Sequence, residues 1–174
     1  MPQQNILTLL QGSDRRTIGR ADQVAAMVSN DPRLFPKLIA GLWSADQIVR
    51  MRAADATEKV TREHRELLHP YKQELLGLMA ESQEQEMRWH LAVMVPRLVL
   101  NARERRAAIS SLNSYLNDRS SIVKTFALQG LADLAQDESN LRPRVLEILR
   151  EATRNGTPAM KARSRKLLIQ LERG

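Results

Sequence analysis

Between Ile122 and Leu134 the chain reads I-V-K-T-F-A-L-Q-G-L-A-D-L. A hydrophobic–basic pair, Val123-Lys124, is followed by apolar residues four, seven to eight and eleven positions later, which is the spacing of one helix face. The phrase recurs. Val49-Arg50 leads to Ala53 and Val60, Met87-Arg88 to Leu91 and Leu98, and Met160-Lys161 to Ser164 and Leu171. The starts are separated by 38, 36 and 37 residues. Four copies at so steady a period restrict the chain to an array of helical repeats, because one helix pair cannot bury its own apolar face and must stack on its neighbours.

The rest of the sequence agrees with such an array. Its 174 residues suit one domain, and 43% apolar with 27% charged residues is a globular balance. Aromatics are only 3%, so the core is built from Leu, Ala, Val, Ile and Met. With no cysteine there is no disulfide framework and no thiolate metal site. The opening residues, MPQQNILTLLQGSDRR, lack the basic lead-in and apolar run of a secretory signal. No stretch approaches the roughly 20 apolar residues of a membrane span. A soluble cytoplasmic protein is expected. The net charge of +7 is uneven: from Leu141 onward nine basic residues stand against three acidic ones. That excess attracts an acidic protein, nucleic acid or anionic lipid.

Helix starts and stops divide the chain into about ten helices in antiparallel pairs. Asn5–Leu10 is a short apolar helix, and Ser13 or Asp14 is expected to cap the next, which runs to about Ser29. Asp31-Pro32 is a capping side chain followed by a first-turn proline. Ser44 is expected to cap the helix that reaches Thr61. His69-Pro70 opens another, and Ser82 with Gln85 and Asn101 with Glu104 read as capping boxes. Asp118 or Ser120 starts the organising helix, Asn140 the penultimate one, and Gly156-Thr157-Pro158 supplies a stop, a cap and a helical proline. The expectation is a single domain over residues 1–174, with 1–30 as an atypical N-terminal cap and 31–174 as about four helix-pair repeats.

The pattern resembles HEAT repeats, in which the second helix of each pair begins with Val-Arg or a similar dipeptide and an Asp lies six residues before the basic residue. Asp118 precedes Lys124 by six, whereas the equivalent positions in the other copies are Ser44, Ser82 and Asn155. The resemblance covers essentially the whole chain, most clearly from Asp31. It implies an all-α, right-handed alpha-alpha superhelix, a HEAT/ARM-like solenoid, with the second helices lining a concave surface. It implies nothing specific about activity, since one fold hosts many functions.

On each second helix an outward strip is expected two, five, six and nine residues after the hydrophobic start. Trp89, Val93 and Pro96 fall on it, with Met51 and Thr125 from adjacent copies. Arg52, Asp55 and Glu58 are read as outward charges of one helix. The column Arg50, Arg88, Lys124, Lys161 recurs with the repeat and reads foremost as capping and inter-repeat bonding. The concave-strip binding set is Met51, Arg52, Arg88, Trp89, Val93, Lys124 and Thr125, with Trp and Arg as the residue types that anchor interfaces. Arg103, Arg105, Arg106, Arg163, Arg165 and Lys166 are the candidate nucleic-acid contacts, joined at the C-terminal basic face by Arg154.

His64 and His69 have poor ligand spacing, and His90 pairs with Glu86 as surface neighbours do, so no metal or cofactor is expected. Phosphate-cradling loops, nucleophile elbows and His-Glu metal motifs are absent from the sequence. The chain therefore reads as a non-enzymatic macromolecule-binding scaffold or adaptor whose partner is a protein, with no membrane or small-molecule substrate. The alternative is a nucleic-acid binder, including a base-repair glycosylase for which Asp55 near Trp89 would be the echo.

Overall fold

A computed structural model describes residues 5–174. The reading of the N-terminus as lacking a secretory signal falls partly on residues 1–4, outside the described residues. The protein is all-α, with ten α-helices and four short 3-10 segments and no strand among the described residues. No helix there is long and apolar enough to cross a membrane. The chain divides into two compact units, one ending at Tyr71 and the other running from Lys72 to Gly174.

In the first unit α1 (Ile6–Leu10), α2 (Ala21–Asn30) and α3 (Phe35–Ala40) all pack on α4 (Gln47–Thr61). Residues 21–30 thus share a core with α4. Val24, Val28, Leu38 and Val49 meet in its interior. Neither Ser13 nor Asp14 caps α2. That helix begins at Ala21 after Arg20, which makes no side-chain cap, and residues 11–20 form an exposed loop in which Gly19 has φ of 53°. Asp31 accepts from the Arg33 backbone N–H, as its place before Pro32 predicts.

The second unit consists of three helix pairs: α5 (Lys72–Glu81) with α6 (Gln85–Met94), α7 (Ala102–Tyr115) with α8 (Ser121–Gln136), and α9 (Arg142–Asn155) with α10 (Pro158–Arg173). Their short connections make each pair antiparallel. The second helices stack in order, α6 on α8 and α8 on α10. The apolar face read from the period is the buried one: Met87, Leu91 and Leu98, then Val123, Ala127 and Leu134, then Ser164 and Leu171. Pro96 sits in a 3-10 turn that ends the regular part of α6.

Local chemistry explains most helix starts. Asn101 and Glu104 form the expected capping box, and Thr157 caps α10 ahead of Pro158. Ser82 with Gln85 does not. The Ser82 hydroxyl instead accepts from the Glu84 backbone N–H at 3.3 Å, and α6 begins after Glu84. Ser44 does the same for Asp46 at 3.2 Å, leaving Asp46 as the true cap of α4. Asp118 does it for Ser120 at 2.8 Å. Asn140 caps nothing, since α9 starts one turn position later after Leu141.

A close approach between helices lies at Gly130 of α8, where a Cβ would overlap the Ala92 carbonyl oxygen of α6 and lie 2.9 Å from the Leu112 methyl. A backbone oxygen cannot move aside as a side chain can. Gly130→Ala gains the roughly 1 kcal/mol of helix propensity that glycine forgoes, but overpacking against a backbone atom falls in the upper part of the range, about 2–3 kcal/mol. A lowered urea midpoint, by the equivalent of about 1–2 kcal/mol, is the expected outcome; an unchanged or higher midpoint would mean that α6 and α8 separate freely.

Candidate functional site

Side chains on the second helices of the Lys72–Gly174 unit converge in a row that crosses α6, α8 and α10. The Trp89 ring stacks on Phe126, with centroids 4.8 Å apart and planes at 27°. The Arg163 guanidinium lies over the Phe126 ring, 5.4 Å from its centroid. These three residues occupy one repeat position, since each is 37 residues from the next. Arg163 also donates to the Gln129 side-chain oxygen at 2.8 Å, and the Gln129 amide donates to Asp133 at 2.8 Å. The relay fixes the Gln129 amide so that its oxygen faces the guanidinium. Burial pushes the Asp133 carboxyl above its ordinary range, against the opposing Gln129 hydrogen bond and the charges of Arg97 and Arg163.

Between α8 and α10 the row opens into a groove of about 300 Å³ lined by Ile122, Phe126, Ala159, Ala162, Arg163 and Lys166. Ile122 is 47% exposed, leaving aliphatic surface beside the groove.

The structure redistributes the residues singled out in the sequence. Trp89 is half-buried, its outer ring committed to Phe126 and its other contact a stack on His90. Val93, 7% exposed, and Thr125, 6% exposed, are not on an open strip. Val93 is covered where α6 meets α8, and the Thr125 hydroxyl donates back to the Ser121 carbonyl while its side chain contributes to the groove wall. His90 is buried, with Nδ1 2.5 Å from the Glu86 carbonyl oxygen, rather than being a surface partner of the Glu86 carboxylate.

Arg52 is the largest correction. At 4% exposure it faces inward in the first unit and holds the 11–20 loop, donating to the carbonyls of Leu10, Gln11, Asp14 and Thr17 and to the Thr17 hydroxyl at 2.8–3.3 Å. Gly12 and Gly19 leave the room it occupies, since a Cβ on either would meet the guanidinium at 2.5–2.6 Å. Asp55 and Glu58 are buried too, not outward. Asp55 accepts from Lys59 at 2.7 Å, and Glu58 takes both arms of Arg62 at 2.7 and 3.0 Å. That pairing removes Asp55 as an echo of base-repair chemistry. Met51 is half-buried on the same helix.

The basic column closes turns, as its recurrence suggests. Arg50 donates to the Ser44 carbonyl at 2.6 Å and Arg88 to the Ser82 carbonyl at 2.7 Å, each reaching back six residues. Arg88 further binds Asp118 of the next repeat at 2.6 Å and stacks over Tyr115. Burial raises the Asp118 carboxyl, but the Ser120 N–H, the Arg88 hydrogen bond and the charges of Arg88 and Lys124 outweigh it and hold the group below the usual carboxylate range. Arg88 is thus a structural rung before it is a contact, while Lys124 acts on Asp118 through its charge.

The cationic candidates fall on different layers. Arg103 and Arg106 are exposed on α7, while Arg105 pairs with Glu138 at 2.8 Å. Arg163, Arg165 and Lys166 belong to α10, and Arg154 on α9 pairs with Glu151 at 2.9 Å. No group of three His, Cys, Asp or Glu among the described residues could hold a metal ion.

The strip rule does not reach Phe126, Asp133 or Ile122; Gln129, six residues after Val123, falls on it but is not among the named candidates. That rule counts from the hydrophobic start and selects Thr125 on α8, whereas stepping 37 residues from Trp89 selects Phe126 and then Arg163. The signal was present, one residue out of phase.

What these features define is an all-α chain of stacked helix pairs, the class to which an alpha-alpha superhelix belongs. A crystal structure of an engineered protein from the Northeast Structural Genomics Consortium is similar to it, with a TM-score of 0.66 over 97% of this chain and 78% of the other at 16% identity, a likeness of fold alone. No family model and no curated protein matches the sequence.

Two outcomes test the structural assignments. Asp118→Asn is expected to cost about 1–2 kcal/mol at pH 7. Because the folded carboxyl ionises below its unfolded value of about 3.9, that stability is present above this value and is lost as pH falls through the lower folded one. The two proteins should therefore converge in urea unfolding once the pH lies below the titration of the folded carboxyl; a gap that persists there refutes the ion-pair account. Arg52→Met leaves buried carbonyls unsatisfied, at about 1–3 kcal/mol, and faster amide exchange confined to residues 11–20 and their supports is the accompanying signature.

Proposed function

We propose that this protein is a scaffold resembling HEAT repeats that binds a protein partner across the exposed face of α6, α8 and α10. The observation carrying the proposal is the Trp89–Phe126–Arg163 row, which places aromatic and guanidinium groups at one position of three successive repeats. Tryptophan and arginine dominate interface energetics, and here they stand beside an open aliphatic groove. The role is a binding one rather than enzymatic, in a cytoplasmic setting. It uses repeat stacking to align side chains that are distant in sequence.

A photo-reactive amino acid at Ile122 or Ala162, incorporated in the source cells, is expected to cross-link a discrete protein species. The same probe at exposed Asn113 on α7 should not. Loss of the adduct in a Phe126→Glu background with unchanged circular dichroism completes the expectation. Equal labelling from all three positions overturns the proposal, and an adduct removed by nuclease treatment transfers the face to nucleic acid.

A further inference from the structure

The groove between α8 and α10 has a chemistry that selects its occupant. Its lining is aliphatic and aromatic, from Ile122, Phe126, Ala159 and Ala162, with two cations, Arg163 and Lys166. A space of about 300 Å³ is at the small end for ligand pockets and suits an inserted side chain rather than a cofactor. The two alanines on α10 make that space: a larger residue at either position would fill it. Lys166 is exposed and Arg163 half-buried, and Arg163 is held in place by Gln129 and by the Phe126 ring. A guanidinium already ordered loses less entropy when it meets a carboxylate, and its planar fork matches that group. Asp133, the acid bound by its Gln129 partner, is half-buried and biased toward its neutral form. Nine basic against three acidic residues from Leu141 onward extend the positive field beyond the groove.

Resting on the protein-binding reading above, we infer that this groove takes an acidic, amphipathic segment of the partner, seating one aliphatic side chain against Ile122 and Ala162 while flanking carboxylates meet Arg163 and Lys166. Single-stranded nucleic acid fits less well. Binding of that kind relies on ring faces open to bases, and here Trp89 is stacked against both His90 and Phe126, while Phe126 also carries Arg163. The groove is an indentation for side chains in a surface whose ring faces are already used.

Trp43 and Trp89 are the two tryptophans, so Trp43→Phe leaves Trp89 as a fluorescent reporter in contact with the row. Titration of that protein with a helical peptide bearing Leu and Glu on one face is expected to give saturable quenching. Replacing Glu by Gln in the peptide should weaken binding by about tenfold or more, the equivalent of two charge-assisted contacts. Arg163→Gln and Lys166→Gln should each weaken the Glu peptide several-fold and leave the Gln peptide nearly unaffected. Arg103→Gln with Arg106→Gln on α7 should change neither. Melting temperatures accompany each variant, and exposed Lys166 keeps the test intact if Arg163→Gln fails to fold.

Equal affinity for the Glu and Gln peptides, equal loss in the α7 variant, or tighter binding of duplex DNA or of anionic phosphatidylserine vesicles overturns the inference. So does absence of saturable binding by the Glu peptide. That last result leaves the cross-linking outcome, and with it the protein-binding reading, standing.

Discussion

The contact between Gly130 and the Ala92 carbonyl oxygen sets the spacing on which the Lys72–Gly174 unit depends. Glycine inside a helix costs about 1 kcal/mol relative to alanine, so its place mid-α8 calls for a packing reason, and the close approach to α6 is that reason. Once α6 and α8 are this near, side chains flanking the seam must interdigitate or stack. Trp89 and Phe126 stack. Leu112 closes the same contact from α7, so the first-layer helix and the second-layer pair are locked at one point.

A second device recurs at the starts of the second helices, and within the Lys72–Gly174 unit it also joins successive repeats. In three copies a small side chain two residues before the N-cap, Ser44, Ser82 or Asp118, accepts from the N-cap's backbone N–H. In two of them the arginine six residues later returns to the carbonyl of that same residue. The third has an aspartate there, and its carboxylate is taken by Arg88 of the preceding repeat. Farther along, the Ser121 and Thr157 hydroxyls lie 2.6 Å apart and tie the start of α8 to the cap of α10. Helix termini must satisfy their free backbone groups in any case. Here the groups that do so also join neighbours.

The departures from the family-like Asp at Ser44 and Ser82 have a physical reading in this light. The position needs a short acceptor for the N-cap N–H, and a serine hydroxyl meets that need. It needs a charge only where a cation from the previous repeat reaches it, as Arg88 reaches Asp118. The misjudged caps, Ser82 with Gln85 and Ser44, were misjudged by two residues for one reason. The side chain does accept a backbone N–H, but in the turn before the helix rather than in its first turn.

The repeat, the helical class and the buried faces were legible because period and polarity are local properties of the chain, and the burial of Val49, Met87 and Val123 follows from them. The proposed binding face was legible only in part. Trp89 and Arg163 were singled out, though as members of different sets, while Phe126, Gln129 and Ile122 were passed over for Thr125 and Val93, which packing covers. A helix-face rule tells which side of one helix is apolar; it does not tell how far a neighbour's backbone intrudes, and a one-residue phase error turns a helix by about 100°. Arg52 makes the same point. As a sequence letter on an amphipathic helix it is a surface cation, and only the fold of the 11–20 loop, with room left by Gly12 and Gly19, makes it an internal clamp. The sequence by itself determined that helices would pair and repeat, since that depends on residue spacing; the tertiary structure decided which side chains remain available to a partner, since that depends on backbones brought together from some 37 residues away.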